Sequence, residues 1–260
     1  LSTMKAKKSF GQHFLVNEHI AQKIANSLKR SEGYANVLEV GPGKGVLTKY
    51  LAQQDINLKV VEADQDMVTY LTANKILRPE QIIFLDFLKL SMEKVFDGAP
   101  FYLIGNYPYN ISSQILIRMI HYRELIPEMV GMFQKEVADR VVAPPGSKTY
   151  GVISVLVQAY YTGGTIMDVS PGNFNPPPKV QSSVIRLVRK ENDQLGCDEK
   201  LFRIVVKTAF NQRRKMLRNT LKPLVKDPSL LEDNRFTQRP EQLSVHEFVT
   251  ITNMISQQNI

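Results

Sequence analysis

Val37-Leu38-Glu39-Val40-Gly41-Pro42-Gly43-Lys44-Gly45-Val46-Leu47-Thr48 is the stretch on which the fold turns. It opens as a short β-rich run, carries glycines at 41, 43 and 45, and continues over 46–53 in a helical pattern. A strand that breaks into a glycine loop and then a helix lets a ligand approach the backbone beside a helix N-terminus. The dinucleotide-binding fingerprint would place its third glycine where this chain has Val46. The tighter loop leaves less provision for a pyrophosphate. Glu39, two residues ahead of the first glycine, suits a ligand carrying a cationic amino group, and Gly41 and Gly43 are candidate contacts to it.

Further strand ends extend the pattern. Residues 58–64 form an apolar run that ends in acids, with Glu62 about twenty residues beyond the glycine turn, where a carboxylate accepts both hydroxyls of a ribose. Residues 82–85 lead to Asp86-Phe87, a carboxylate for an adenine amine and an aromatic to pack against its ring. An amino-acid end, a ribose and an adenine together describe S-adenosylmethionine. The run 101–104 then leads into Gly105-Asn106-Tyr107-Pro108-Tyr109. Asn106 offers a neutral carbonyl acceptor. Pro108 lacks a backbone N–H and fixes its own φ, so neighbouring carbonyls can be presented in a rigid turn. Tyr109 supplies a face for base stacking, typically worth about 1–3 kcal/mol. These groups suit a grip on a planar base by its exocyclic amine, although the same residue types also make an ordinary turn.

The order of elements predicts one α/β sheet. Apolar runs at 37–40, 58–62, 82–85, 101–105 and 128–133 alternate with helical stretches at 46–54, 65–74 and 112–121. This is a Rossmann-like, doubly wound, mostly parallel sheet, and each candidate site residue sits at the carboxyl end of a strand, where such sheets bind ligands. A helical stretch to Val142, a turn at 144–147 and a second helical stretch at 151–160 follow. Two β-rich runs, 165–169 and 183–188, flank the proline-rich loop that holds Phe174 and read as a closing hairpin-like edge. The polar stretch 190–199 marks a linker, dividing a catalytic domain (1–190) from a small C-terminal helical domain (191–260) with helices at 201–221 and 245–255.

With these motifs in view, the chain resembles the small-subunit ribosomal RNA adenine dimethyltransferase family of class I methyltransferases. The resemblance spans nearly the whole chain. It begins at Lys8-Ser9-Phe10-Gly11-Gln12-His13-Phe14-Leu15 and returns at Asn173-Phe174-Asn175-Pro176-Pro177-Pro178-Lys179-Val180. It closes with Ala209-Phe210-Asn211-Gln212-Arg213-Arg214-Lys215-Met216-Leu217-Arg218-Asn219. It implies methyl transfer from S-adenosylmethionine to two adjacent adenines near the 3′ end of small-subunit (16S) RNA, on an immature small ribosomal subunit, during ribosome biogenesis. Carried over, the cofactor contacts fall on His13, Leu15, Gly41, Glu62, Asp86 and Asn106, to which the residues themselves add Glu39, Gly43 and Phe87. Asn106, Pro108 and Tyr109 hold the target adenine, and Phe174 is its second stacking partner. Two positions depart from the family pattern: Tyr107 stands where Leu is usual and His13 where Asn is common.

The chemistry expected of these groups is simple. An adenine amine is a poor nucleophile because its lone pair is delocalised into the ring. Hydrogen bonds from its N–H groups to the Asn106 carbonyl and to a backbone carbonyl of Tyr107 or Pro108 would localise that pair and aim it. The alkylated amine is acidic and loses its proton to water, so an amide suffices where a base might have been sought. Extruding the target costs a few kcal/mol, which stacking on Tyr109 and Phe174 would offset.

Composition agrees with a nucleic-acid substrate. A net charge of +8 fits a polyanionic partner. Candidate phosphate contacts are Lys7 and Lys8 in an N-terminal arm, Lys179 beside the base pocket, and Arg213, Arg214, Lys215 and Arg218 on the predicted helix 201–221, where Arg214 and Arg218 share a side. The plain alternative for that run is a solvated face. Cys197 is the single cysteine, so no intrachain disulfide forms and a cytoplasmic home is expected. No apolar run reaches the length of about 18 residues that a membrane span needs, and the N-terminal stretch is polar and basic. The four histidines lie far apart, and no metal site is expected. Nothing demands more than a monomer. Two rivals share the motifs. One is a large-subunit RNA adenine methyltransferase, against which the 211–219 signature stands. The other is a non-catalytic assembly or transcription factor that binds nucleic acid, against which intact Glu62, Asp86, Asn106 and Tyr109 stand. A nicotinamide-dependent oxidoreductase is weakened by Val46.

Overall fold

The apolar runs become strands in a computed structural model that describes residues 13–192 and 194–258; Lys7 and Lys8 lie outside the described residues. In chain order the strands are β1 (Phe14–Leu15), β2 (Asn36–Val40), β3 (Asn57–Glu62), β4 (Ile82–Phe84), β5 (Tyr102–Asn106), β6 (Glu128–Gln134), β7 (Tyr161–Val169), β8 (Phe174–Asn175) and β9 (Ser182–Arg189). The helices are α1 (Glu18–Ala25), α2 (Thr48–Leu51), α3 (Gln65–Ala73), α4 (Met92–Val95), α5 (Ser112–His121), α6 (Lys135–Val142), α7 (Val152–Gln158), α8 (Glu199–Phe210), α9 (Leu217–Thr220) and α10 (Val245–Gln257).

Seven strands form one sheet in the order β4-β3-β2-β5-β6-β9-β7. Pairing is parallel from β4 through β6 and antiparallel between β6 and β9. β2, β5 and β6 are near-continuous apolar runs because a parallel sheet is covered on both faces. Val37, Leu38, Leu103, Ile104, Val130 and Met132 are inaccessible to solvent, and each such side chain contributes about 1.5–3 kcal/mol. The chain winds outward through β2, β3 and β4, then returns to place β5 on the other side of β2. The winding direction therefore reverses between β2 and β5, the point at which open sheets accept ligands. A small second ladder pairs β1 with β8, matching Leu15 to Phe174.

The chain divides into two compact units, residues 1–138 with 162–189, and 139–161 with 190–260. The first holds the sheet. The second is helical, built around buried Phe202, Val206, Phe236, Phe248 and Ile251. This division differs from the single boundary at 190/191 read from composition, since 139–161 clusters with the helices. The reason is apolar: Tyr150 is buried, its hydroxyl donates to the Leu243 carbonyl (2.8 Å), and its ring meets Phe210 edge-on. Such a partner, nearly a hundred positions away, leaves no mark on local composition.

The helix read over 201–221 is a second correction. α8 stops at Phe210, residues 211–215 form turns, and α9 begins at Leu217. Asn211 to Lys215 offer no apolar position to hold a helical face, and Arg213 donates instead to the Ser147 carbonyl (3.1 Å). Arg214 and Arg218 consequently do not share a helix face.

Candidate active site

The glycine loop leaves β2 with Gly41 at φ +65° and Gly43 at φ +55°, a region that side chains rarely adopt. The Gly41 N–H donates to the Val61 carbonyl (2.9 Å), tying the loop to β3. A Cβ on Gly43 would stand 3.1 Å from the Phe14 ring, so loop and N-terminal segment are already in contact. Phe14 therefore faces the site, with the Lys44 ammonium 5.4 Å from its ring centre.

Three acids line the same cavity. At the end of β3, one Glu62 oxygen accepts from the Asp64 N–H (2.9 Å) and the other from the Gly43 N–H (3.2 Å). Burial raises the pKa of this carboxyl while those N–H donors oppose the rise. Glu39 is buried and accepts from the Thr48 hydroxyl at 2.7 Å. Burial pushes its carboxyl up to about 8, with the Glu62 charge adding to the effect. Asp86 uses Oδ1 to cap the following turn at the Leu88 N–H (2.9 Å). Its other oxygen has no hydrogen-bond partner among the described residues.

At the end of β5, Asn106 Nδ2 donates to the His13 carbonyl (3.1 Å). That bond fixes which end of the carboxamide faces the cavity: the oxygen. The Tyr107 N–H donates to the Met132 carbonyl (3.2 Å), extending the β5–β6 pairing by one residue, and the Pro108 carbonyl accepts from the Ile111 N–H (3.2 Å). Tyr109 is held at both its ring and its hydroxyl. The His13 ring stacks on it at 5.2 Å and 28°, and the hydroxyl shares a hydrogen bond of 2.6 Å with Ser182 Oγ. His13 Nδ1 donates in turn to the Pro176 carbonyl (3.0 Å).

These groups converge on a cavity of about 570 Å³ over the β2–β5 reversal. His13, Leu15, Glu39, Gly41, Gly43 and Glu62 line it. So do Asp86, Phe87, Asn106, Pro108 and Tyr109. Phe174 does not. It pairs with Leu15 and sits in the hydrophobic core at 3% exposure, so the reading of it as a second stacking surface is corrected. An aromatic beside a proline loop looks available in sequence; here the β1–β8 ladder draws it inward. Lys179, in the same loop, is exposed. Among the described residues no cluster of His, Cys, Asp and Glu could hold a metal ion.

Residues 3–257 match the family model for ribosomal RNA adenine dimethylase. The chain belongs to this family. Relatives named ribosomal RNA small subunit methyltransferase A agree with the assignment. That of Bacteroides thetaiotaomicron is 52% identical over 99% of this chain and 96% of its own length. That of Flavobacterium johnsoniae is 52% identical over 98% and 97%. Among solved structures, a dimethyladenosine transferase from Plasmodium falciparum superposes with a TM-score of 0.79 at 25% identity, covering 95% of this chain and 99% of that one. The 23S rRNA methyltransferase ErmE shares the fold, with a TM-score of 0.69 at 19% identity over 94% of this chain.

For an adenine dimethylase, sequence reasoning missed several wall residues. Phe84 and Leu85, more than a third exposed, line the cavity directly before Asp86. Solvent-facing apolar residues at a strand end beside an acid are the signal that would have marked them. Ser182, which holds Tyr109, carried no such signal, because only the pairing of β9 beside β6 brings it near.

Proposed function

We propose that this dimethylase transfers methyl groups from S-adenosylmethionine to the exocyclic amines of two adjacent adenines near the 3′ end of small-subunit ribosomal RNA, acting as a monomer in the cytoplasm on an immature small subunit. The observation that carries the reading is the Asn106 carboxamide, anchored through its nitrogen so that its oxygen stands at the cavity beside Tyr109. The donor set fits the proposed methyl donor. Glu62 suits ribose hydroxyls, the second oxygen of Asp86 suits an adenine amine between Phe84 and Phe87, and Glu39 suits an ammonium group. When bound, S-adenosylmethionine supplies a methyl group already activated by its sulfonium.

The chain's own residues then have three tasks. Asn106 Oδ1 and the Tyr107 carbonyl accept the two amine hydrogens, localising the lone pair; the Pro108 carbonyl is already engaged by Ile111. Tyr109 stacks on the extruded base and offsets the few kcal/mol of unstacking. Water takes the proton, since no base stands among these acceptors. Lys179, Arg214, Lys215 and Arg218, with Lys7 and Lys8, are proposed to meet phosphates. No described helix is long and apolar enough to cross a membrane.

Purified protein, labelled S-adenosylmethionine and under-methylated small subunits, followed by nucleoside mass spectrometry, test the reading. Dimethyladenosine that fails to form with Asn106→Ala supports it. Methylation of large-subunit RNA instead would favour that rival, and absence of donor binding would favour a non-catalytic factor.

A further inference from the structure

The 106–109 turn carries two tyrosines, and of these Tyr107 is the one turned away from solvent. Only 1% of it is exposed. Residues two apart on a strand share a face, so its ring folds back along β5 over Gly105. There it meets β6, where Gly131 is the register partner of Gly105. The two glycines make a notch across the strands. A Cβ on Gly131 would fall 2.1 and 2.7 Å from Tyr107 ring atoms and 2.9 Å from Phe133. A Cβ on Gly105 would fall 2.6 Å from the Val40 carbonyl oxygen and 3.0 Å from the same Tyr107 ring. Phe133 closes the far side, its ring centre 5.0 Å from that of Tyr107. The ring is thus seated by close contacts, and its backbone carries the turn: the residue on one side is Asn106, on the other Pro108.

We propose that Gly131 is a positioning residue for methyl transfer: by presenting no side chain it admits the Tyr107 ring into the β5–β6 notch, and the seated ring sets where the Asn106 and Tyr107 acceptors stand. The proposal rests on the adenine-gripping reading of Asn106. A methyl at position 131 cannot share the space of the ring. Phe133 and the backbone at Gly105 block retreat, so the ring shifts together with its own turn. Displacements of about 1 Å cost about 100-fold in transfer. The acids assigned to the donor, Glu39, Glu62 and Asp86, stand on β2, at the end of β3 and after β4, and the shifted turn carries none of them.

The test is a set of variants measured by single-turnover transfer to under-methylated subunits, with S-adenosylmethionine affinity by calorimetry and folding by circular dichroism. Gly131→Ala is expected to slow transfer at least about 30-fold while the donor Kd stays within about threefold. Tyr107→Leu removes the ring atom of closest approach, so adding Gly131→Ala in the Tyr107→Leu background is expected to cost less than about threefold. A parent-like rate for Gly131→Ala overturns the proposal. So does an equal cost of Gly131→Ala in the tyrosine and leucine backgrounds. Should Gly131→Ala fail to fold, the leucine-background pair still decides: a cost there above about tenfold overturns the proposal. Asn106→Ala runs alongside. If it transfers as fast as the parent, the reading of the grip falls; if it is slow while Gly131→Ala is fast, only the present inference falls.

Discussion

Asn106 is held by one end of its carboxamide, and that asymmetry makes its substitution informative. Asn106→Ala removes an acceptor that acts on the reacting amine but leaves Glu39, Glu62 and Asp86 in place. Donor affinity should stay within about tenfold while transfer falls about 100-fold, read by calorimetry and single turnover. Glu39 gives a pH prediction. Its carboxyl is pushed up to about 8 from an ordinary 4.5. Across that interval the folded chain keeps a proton that the unfolded chain releases. The stabilising contribution is therefore complete below about 4.5 and is lost as pH rises through about 8. Glu39→Gln should flatten that decline in chemical denaturation. An ammonium brought beside Glu39 favours the ionised form, so donor binding near pH 7 should expel up to about one proton in calorimetry across buffers of different protonation enthalpy. The glutamine variant should expel fewer. Both residues were legible in the sequence because their chemistry depends on residue type and position at a strand end. The direction of the Asn106 amide was not, because His13, which fixes it, lies on a distant segment.

At the scale of elements, the basic run at 213–218 is the clearest case of local reading misled. A helix would have spread the charges around a cylinder; the turn at 211–215 ties down Arg213 and leaves Arg214 and Lys215 exposed. Replacing Arg214 and Lys215 together with Ala should weaken RNA binding and reduce its log–log salt slope by about 0.7–0.9 for each phosphate no longer neutralised. Replacing Arg213 alone should chiefly lower the melting temperature. An unchanged slope for the double variant would return the pair to ordinary surface. β8 offers the converse. Phe174 is core rather than stacking surface, so Phe174→Ala should cost about 3–5 kcal/mol in denaturant unfolding. The helix at 112–121 and the strand at 128–133 were readable from pattern, whereas a two-residue strand such as β8 has no period to read.

For the whole molecule, the cavity draws its walls from the ends of β2, β3, β4 and β5 and from the segment at 13–15, so a bound donor links much of the sheet unit. At a donor concentration 100 times Kd, mass action adds about 2.7 kcal/mol to the folded state. For a chain of this size that is a rise in melting midpoint of about 5–10 °C, measurable by differential scanning fluorimetry; no rise would contradict the assigned pocket. Sequence alone determined the order of the strands β2 to β6 and of the main helices between them, the glycine loop, the acids at successive strand ends and the amide–proline–tyrosine turn. Each of these is written in residue type and short spacing, and the winding of a parallel sheet then brings the strand ends together. Tertiary structure alone decided that 139–161 joins the helical unit, that Phe174 turns inward, that His13 and Ser182 hold Tyr109, and that Tyr107 rests in a notch opened by Gly131. Those outcomes depend on space left or filled by residues distant in the chain, and steric fit exists only once the strands have paired.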